Sequence, residues 1–279
     1  MISKNDTLRT KTIADFGEQW SIYPDNEGWY GSLNLFIDIV YPLLDIEKLK
    51  GTYVAEIGGG TGRIVGMLLN ADVEHIYTLE PSDRAFRELK KNVQSMDKNN
   101  KVTVINTGGE NWTTNHKLDY VFSIGVIHHI PDPNPVIRAA YDALKPGGYF
   151  FVWVYGYEGN ELYLKIVEPI RKITTQIHHR YLKTIVEIMY RIMIVYRYLS
   201  KIISLPLRSY IDKIWWPLTP KNRRLVIFDQ LNPSYSKYYK KEDAIQLLKN
   251  EGFNNIKIHN RHGYSWSILG QKPEINLSI

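Results

Sequence analysis

Glu56-Ile57-Gly58-Gly59-Gly60-Thr61-Gly62 is the stretch that decides the fold. The apolar run Tyr53-Val54-Ala55 leads into it, and a helix-like stretch, Arg63 to Asn70, leaves it. A strand that ends in a glycine turn and feeds a helix makes a nucleotide cradle. Glycine reaches backbone angles closed to other residues and lets a ligand approach without meeting a Cβ. Free N–H groups at the start of the helix face that ligand. The spacing separates cofactor classes. A dinucleotide site takes G-x-G-x-x-G, with its third glycine where helix packs on strand. Counted from Gly58 and Gly60, that place holds Arg63. The spacing that fits is acidic-x-G-x-G-x-G, at Glu56, Gly58, Gly60 and Gly62. Taken alone, such a turn is also compatible with an ordinary tight loop.

Further signals follow in order. His75 to Leu79 reads as a buried strand ending in Glu80-Pro81-Ser82. An acidic residue roughly 20 residues after the glycine turn, at a strand's carboxyl end, accepts both ribose hydroxyls of a nucleoside. The plain alternative is a solvated Glu at a strand end. A third strand, Val102 to Asn106, leads into Thr107-Gly108-Gly109-Glu110-Asn111-Trp112. Leu118 to Ile124 is a fourth strand, and its loop, Gly125-Val126-Ile127-His128-His129-Ile130-Pro131-Asp132-Pro133, falls at the sheet edge where open α/β sheets hold ligands. Asn134-Pro135 then starts a helix, an N-cap residue with Pro in the first turn. It runs to Leu144, Lys145-Pro146-Gly147-Gly148 stops it, and Tyr149 to Tyr155 is a fifth strand.

Together these stretches resemble the motifs of class I S-adenosylmethionine (SAM) dependent methyltransferases of the small-molecule type. The resemblance is firm from Gly51 to about Gly156 and fair from Phe228 to Gly270. It implies an α/β, Rossmann-like, doubly wound sheet of seven strands in the order 3-2-1-4-5-7-6, the last antiparallel, with an N-terminal helical arm and a helical lid insertion. It implies SAM as cofactor, with contacts at Glu56, Gly58, Gly59, Gly60, Glu80, Pro81, Gly109, Glu110, Ser123 and Ile124, and no metal. Glu110 takes the place that contacts the adenine amino group; Trp112 covers the ring or caps the core. Ser123-Ile124-Gly125-Val126 stands where amino-group nucleobase enzymes carry an Asn/Asp-Pro-Pro-aromatic clamp, so that acceptor class is disfavoured.

The donor's methyl already sits on a good leaving group, so the protein must hold an acceptor in line and exclude water. An amine or hydroxyl acceptor usually needs a base. His129, then His128, are the titratable groups best placed for that, with Tyr23 of the N-terminal arm as a partner; a structural role for one His is the alternative. Trp20 and Tyr23 are candidates for contact with cofactor or acceptor, or hydrophobic anchors of the arm.

The 279 residues are ample for one large α/β domain with additions, and the sequence divides into an arm (1–50), a cofactor core (51–156), an insertion (157–228) and the end of the core (229–279). In the last part, Lys241 to Asn250 reads as a helix, and Ile256 to His259 and Ser265 to Gly270 as strands around a turn at Gly263. With no cysteine, disulfides and thiolate chemistry are excluded. Charge is uneven. From Glu161 to Arg224 there are 13 basic and 4 acidic residues, net +9, leaving −3 for the rest of a +6 chain. Ile185, Met189, Ile192, Tyr196, Leu199 and Ile203 recur at helical steps, and Pro206, Pro217 and Pro220 break the helix. This insertion reads as a lid over the acceptor, or as a lid that also meets anionic lipid; nucleic acid is the least favoured partner. Tyr235 and Tyr238 bind the acceptor or pack. The start, Met1-Ile2-Ser3-Lys4-Asn5-Asp6, lacks a signal peptide's apolar run, so a cytoplasmic enzyme is expected, with membrane association left open. The expected function is methyl transfer to a hydroxyl or amine of a sugar, lipid or secondary metabolite. The alternatives are a lipid methyltransferase at the membrane surface and a SAM-fold binding protein without turnover. Oligomeric state is not legible.

Overall fold

The computed structural model describes residues 3–205 and 208–274; Pro206 lies outside them. The chain opens with α1 (Lys4–Ile22), the first helix of the expected arm, whose bounds the sequence reading did not give. Its signal is a capping box: Asp6 N–H donates to Ser3 Oγ at 3.1 Å and Ser3 N–H to the Asp6 carboxylate at 3.3 Å. Next comes α2 (Leu33–Val40); the sequence reads as a helix from Leu33 to Leu44, and the observed one stops short. Pro42 is the reason, since a residue before proline is pushed from helical to extended angles, and Tyr41 has ψ 143°.

Then β1 (Tyr53–Ile57), α3 (Arg63–Asn70), β2 (His75–Leu79), α4 (Asp83–Met96), β3 (Val102–Ile105), β4 (Leu118–Ile124), α5 (Asn134–Ala143) and β5 (Leu144–Tyr155) follow along the chain. The insertion is α6 (Glu161–Thr174), α7 (His179–Ile202), α8 (Arg208–Tyr210), a π-helical turn at Ile211–Trp215, and α9 (Pro220–Leu231). α10 (Lys241–Lys249), β6 (Asn254–Arg261) and β7 (Ser265–Gln271) complete the chain. The strand order is β3-β2-β1-β4-β5-β7-β6. β1 to β5 pair in parallel, and β7 enters antiparallel to β5, Val152 opposite Ile268. This is the sheet that the resemblance implied.

Two local readings change. Lys145-Pro146-Gly147-Gly148 does not precede β5 but lies within it: Leu144 already pairs with Leu118, and the register slips before Tyr120 meets Tyr149. Pro133, not Asn134, takes the cap position of α5, and the Asn134 N–H is met by Asp132 Oδ1 at 3.3 Å.

Strand alternation sends neighbours to opposite faces. Val121 packs with Phe150, Val136 and Ile137 of α5 and Leu248 of α10. Phe122 packs on the other side with Phe36 of α2, Ile64 of α3 and Phe151. A third cluster is built almost wholly by the insertion: Leu182, Val186, Trp215, Leu225 and Phe228, with Tyr23. Among the described residues no helix is long and apolar enough to cross a membrane.

Phe122 is fully buried between Phe36 and Phe151, with ring centroids at 5.7 and 6.0 Å. Phe122→Ala is expected to cost about 3–5 kcal/mol in urea unfolding. A loss below ~1 kcal/mol would mean that this face of the sheet is not the continuous core described.

Candidate functional site

The carboxyl ends of β1, β2 and β4 open into one cavity of about 800 Å³, near the upper end of the roughly 300–1,000 Å³ usual for ligand sites. At its floor the glycine turn is anchored twice to β2, with the N–H groups of Gly58 and Gly59 both donating to the Leu79 carbonyl at 2.8 Å. Gly58, Gly60 and Gly62 have φ of 84°, 56° and 86°, angles that L side chains avoid. A Cβ on Gly58 would also lie 2.4 Å from the Val126 side chain.

Glu80 hangs from the end of β2 into this turn. One carboxylate oxygen accepts the Gly60 N–H at 2.9 Å and the other the Ser82 N–H at 2.8 Å. Each oxygen keeps a lone pair, so the group can still accept two ligand hydroxyls. Burial nonetheless pushes its pKa up to about 7, against the lowering pull of both backbone bonds. Glu56, fully enclosed on β1, is pushed by burial to about 8, although Thr78 Oγ1 donates to it at 3.0 Å and Arg63 lies near. Two buried carboxylates beside a turn that no side chain can fill are the fit expected for the sugar and cationic parts of SAM.

The expected cofactor contacts separate into two groups. Glu56, Gly58, Gly59, Gly60, Glu80, Pro81, Gly109, Glu110 and Ile124 line the cavity. Ser123 does not: it is fully buried on β4 and its hydroxyl meets no partner. The pleat turns it away from the edge that exposes Ile124. Glu110, expected at the adenine, is ion-paired with Arg9 of α1. The arm therefore closes over the loop of Gly108 to Glu110, and Phe16 and Trp20 of α1 add aromatic walls. Trp112 is buried in the core.

The catalytic candidates also part. His129 lines the cavity. Its Nδ1 lies 2.9 Å from the Tyr235 carbonyl. A carbonyl only accepts, so Nδ1 carries the proton and Nε2 keeps its lone pair. Burial pulls the pKa down to about 4, with nearby Asp229 opposing. The ring is thus neutral at physiological pH. His128 is a correction. It is fully buried behind Tyr155, centroid to centroid 4.0 Å, lines no part of the cavity, and has both ring nitrogens unpartnered. Tyr23 is another: its ring packs on Phe228 in the insertion's core, 5.6 Å away, and does not line the cavity.

Apart from Tyr238, the sequence reading missed a polar cluster on the cavity wall. Asp229 of α9 accepts from Tyr155 Oη at 2.7 Å and from Gln19 Nε2 at 2.8 Å. Gln230 accepts from Tyr163 at 2.6 Å and from Tyr238 at 3.2 Å. Arg171 braces the group through Tyr238 and the Gln230 carbonyl. Tyr155, Tyr163, Asp229, Gln230 and Tyr238 all line the cavity. The signal was there: Asp229 is a lone acid in the apolar run Leu225 to Leu231. Tyr235 serves through its carbonyl instead of its ring. Beyond the cluster the wall turns apolar, with Met189, Met193, Ile214, Trp215 and Leu218 of the insertion.

Comparison with known proteins agrees with this geometry. Residues 55–150 match the family described as Methyltransferase domain. The tRNA U34 carboxymethyltransferase of Pseudoalteromonas atlantica is 23% identical over 42% of this chain and 36% of its own length. That of Helicobacter acinonychis is 25% identical over 53% and 59%. The chain thus spans 36% and 59% of those relatives. The ubiquinone biosynthesis O-methyltransferase of Escherichia coli is 26% identical over 59% of this chain and 72% of its own. Among solved structures, the magnesium protoporphyrin IX methyltransferase of Synechocystis PCC 6803, with bound S-adenosylhomocysteine, superposes with a TM-score of 0.56 at 14% identity, over 97% of this chain and 100% of that one. At that identity the likeness is one of fold.

Glu80 must be ionised to accept two hydroxyls. With its free pKa near 7, binding below pH 7 requires loss of a proton. Affinity for S-adenosylhomocysteine, read by calorimetry, should therefore rise about tenfold per unit up to pH 7 and level above it. Glu80→Gln should flatten that profile and cost roughly 1.5–3 kcal/mol at pH 8. An unchanged profile in the variant would remove the ribose assignment. Glu56 carries the opposite sign for stability. Its raised pKa of about 8 means that the unfolded chain gives up this proton more readily. Its contribution is lost as pH climbs from the unfolded carboxylate value through 8. Glu56→Gln should therefore raise the Tm of the ligand-free protein at pH 9 and do little at pH 4.

Proposed function

We propose, from the premise that this chain belongs to the class I SAM-dependent methyltransferases, that it methylates a hydroxyl or amine on a largely apolar small molecule. The observation that carries this reading is the continuity of one cavity. It runs from the glycine turn, past His129 and the Tyr155–Asp229 pair, to the apolar wall of the insertion. When bound, SAM supplies an electrophilic methyl on sulfur.

The chain's own residues do the rest. Glu80 and Gly60 hold the nucleoside end at the sheet edge. α1 covers it through Arg9, Phe16 and Trp20 and keeps water out. His129, neutral and with Nε2 open, takes the acceptor's proton. Its Nδ1 bond to the Tyr235 carbonyl fixes the tautomer that can do so. Asp229 lies where it eases positive charge on His129, since its field raises that group's pKa. The Tyr155, Tyr163 and Tyr238 hydroxyls orient the polar end of the acceptor, and the methionines of α7 receive its apolar part.

RNA is the competing acceptor, suggested by the carboxymethyltransferase relatives. The apolar insertion wall favours the small molecule. Incubation with radiolabelled SAM and fractionated cell extract separates the two: label should appear in organic-soluble material. Label confined to RNA would overturn the reading. With the acceptor in hand, His129→Ala should lower turnover by about 10²- to 10⁴-fold with donor affinity within about twofold. Wild-type turnover at saturating donor should stay flat from pH 8 down to 6, because His129 is already neutral there. Normal turnover in the variant would remove it as base.

A further inference from the structure

We propose that the outer face of α7 is a docking surface for an anionic lipid bilayer. Tyr181, Ile188, Ile192, Val195, Leu199 and Ile202 stand on that face, and all are exposed; Ile202 is 83% so. At roughly 100° per residue their steps of seven, four and three keep them in one stripe along the helix. The buried side of α7 is elsewhere, at Leu182, Val186 and Tyr190. The stripe is therefore a second apolar face, distinct from the one that makes the core. Scattered exposed apolar residues are ordinary on a protein surface, but a contiguous row of this length is not.

Charge chooses the occupant. Arg180, Lys183, Arg191 and Lys201 of α7 are all exposed and lie off the stripe. Beyond α7, Lys165, Lys172, Arg208, Lys213 and Lys221 are exposed as well; Arg191, Arg208 and Lys221 are ion-paired with the part-exposed Glu187, Asp212 and Asp25, and the exposed acids of the segment are Glu161 and Glu168. The segment from Glu161 to Arg224 carries +9. A second copy laid face to face would set one such segment against another, with no acidic patch to offset the repulsion. An anionic lipid surface offers an apolar layer for the stripe and opposite charge for its flank, the composition of an interfacial helix. α6 repeats the arrangement on a smaller scale, with Leu162, Ile166, Ile170 and Ile173 exposed and Lys165 and Lys172 beside them.

The other flank of the stripe is Met189, Met193 and Tyr196, which line the cavity, and Ile192 belongs to both. The mouth thus opens at the edge of the docking face. An acceptor dissolved in the bilayer would pass from lipid to cavity without crossing water. The docking itself does not depend on methyl transfer, and its test reads lipid retention alone.

The experiment is flotation of the full chain with vesicles of phosphatidylcholine alone and of phosphatidylcholine with ~30% phosphatidylglycerol, beside light scattering of the lipid-free protein. The protein should float with the anionic vesicles, weakly with the neutral ones, and less at high salt. A triple change of exposed residues, Ile188→Glu, Val195→Glu and Ile202→Glu, should weaken retention by at least about tenfold. Its S-adenosylhomocysteine affinity and Tm should match the parent, which separates docking from folding and from the cofactor site. Arg180→Ser with Lys183→Ser should weaken retention on anionic vesicles alone. The proposal is overturned if the parent does not float, if the triple variant floats as well, or if the lipid-free protein is a dimer that the triple variant converts to monomer.

Discussion

A carboxylate held by backbone N–H groups at the edge of a parallel sheet is the constraint on which the site depends. Glu80 bonds to Gly60 and Ser82 at once, so it ties the end of β2 to the turn after β1. That tie needs Gly60 in a left-handed conformation and needs burial deep enough to exclude water. The same burial raises the carboxylate's pKa, so geometry and acidity follow from one fact. Glu56, one strand away, is under the same strain, relieved in part by Thr78 and Arg63. A cavity whose floor holds two reluctant anions favours a ligand with hydroxyl donors and positive charge.

The sheet was legible because its signals are local. A glycine turn, an acid at the next strand end and apolar runs of fixed spacing can all be read along the chain, and β1, α3, β2 and β4 fall where the spacing put them. The errors at Val40, Pro133 and Leu144 lie at element ends, where a proline or a bulge competes with periodicity. The side of the cavity proposed for the acceptor was legible only in fragments. His129 reaches the cavity from the loop after β4. His128 could not be told from it in sequence, since one residue decides which ring meets the cavity and which goes behind Tyr155. Asp229 and Tyr155 are 74 positions apart, and their hydrogen bond exists only once α9 is folded across β5. Tyr23 was mislaid for the same reason, because its partner, Phe228, belongs to a helix whose position no local pattern gives.

α1 makes the third contribution, and it does so through charge as well as cover. Arg9 pairs with Glu110 and Arg84 of α4 with Glu18, while Gln19 donates to Asp229 of α9 and Asp15 accepts from the Ser234 N–H, so the arm is fastened along its length by surface and buried groups alike. Of the two ion pairs, Arg84–Glu18 is the more exposed and holds the more weakly.

Beyond the sheet, the insertion has an interior of its own. Apart from Tyr23, the buried members of its cluster come from α7, the π-helical turn, the segment after it and α9. Few of its side chains are shared with the two layers that flank the strands. Changes at Met189, Met193 or Ile214 therefore fall on a wall whose support is separate from that of the glycine turn. Over generations such a partition lets the choice of acceptor drift while the donor half stays constant, which is how one catalytic chassis can serve many chemistries.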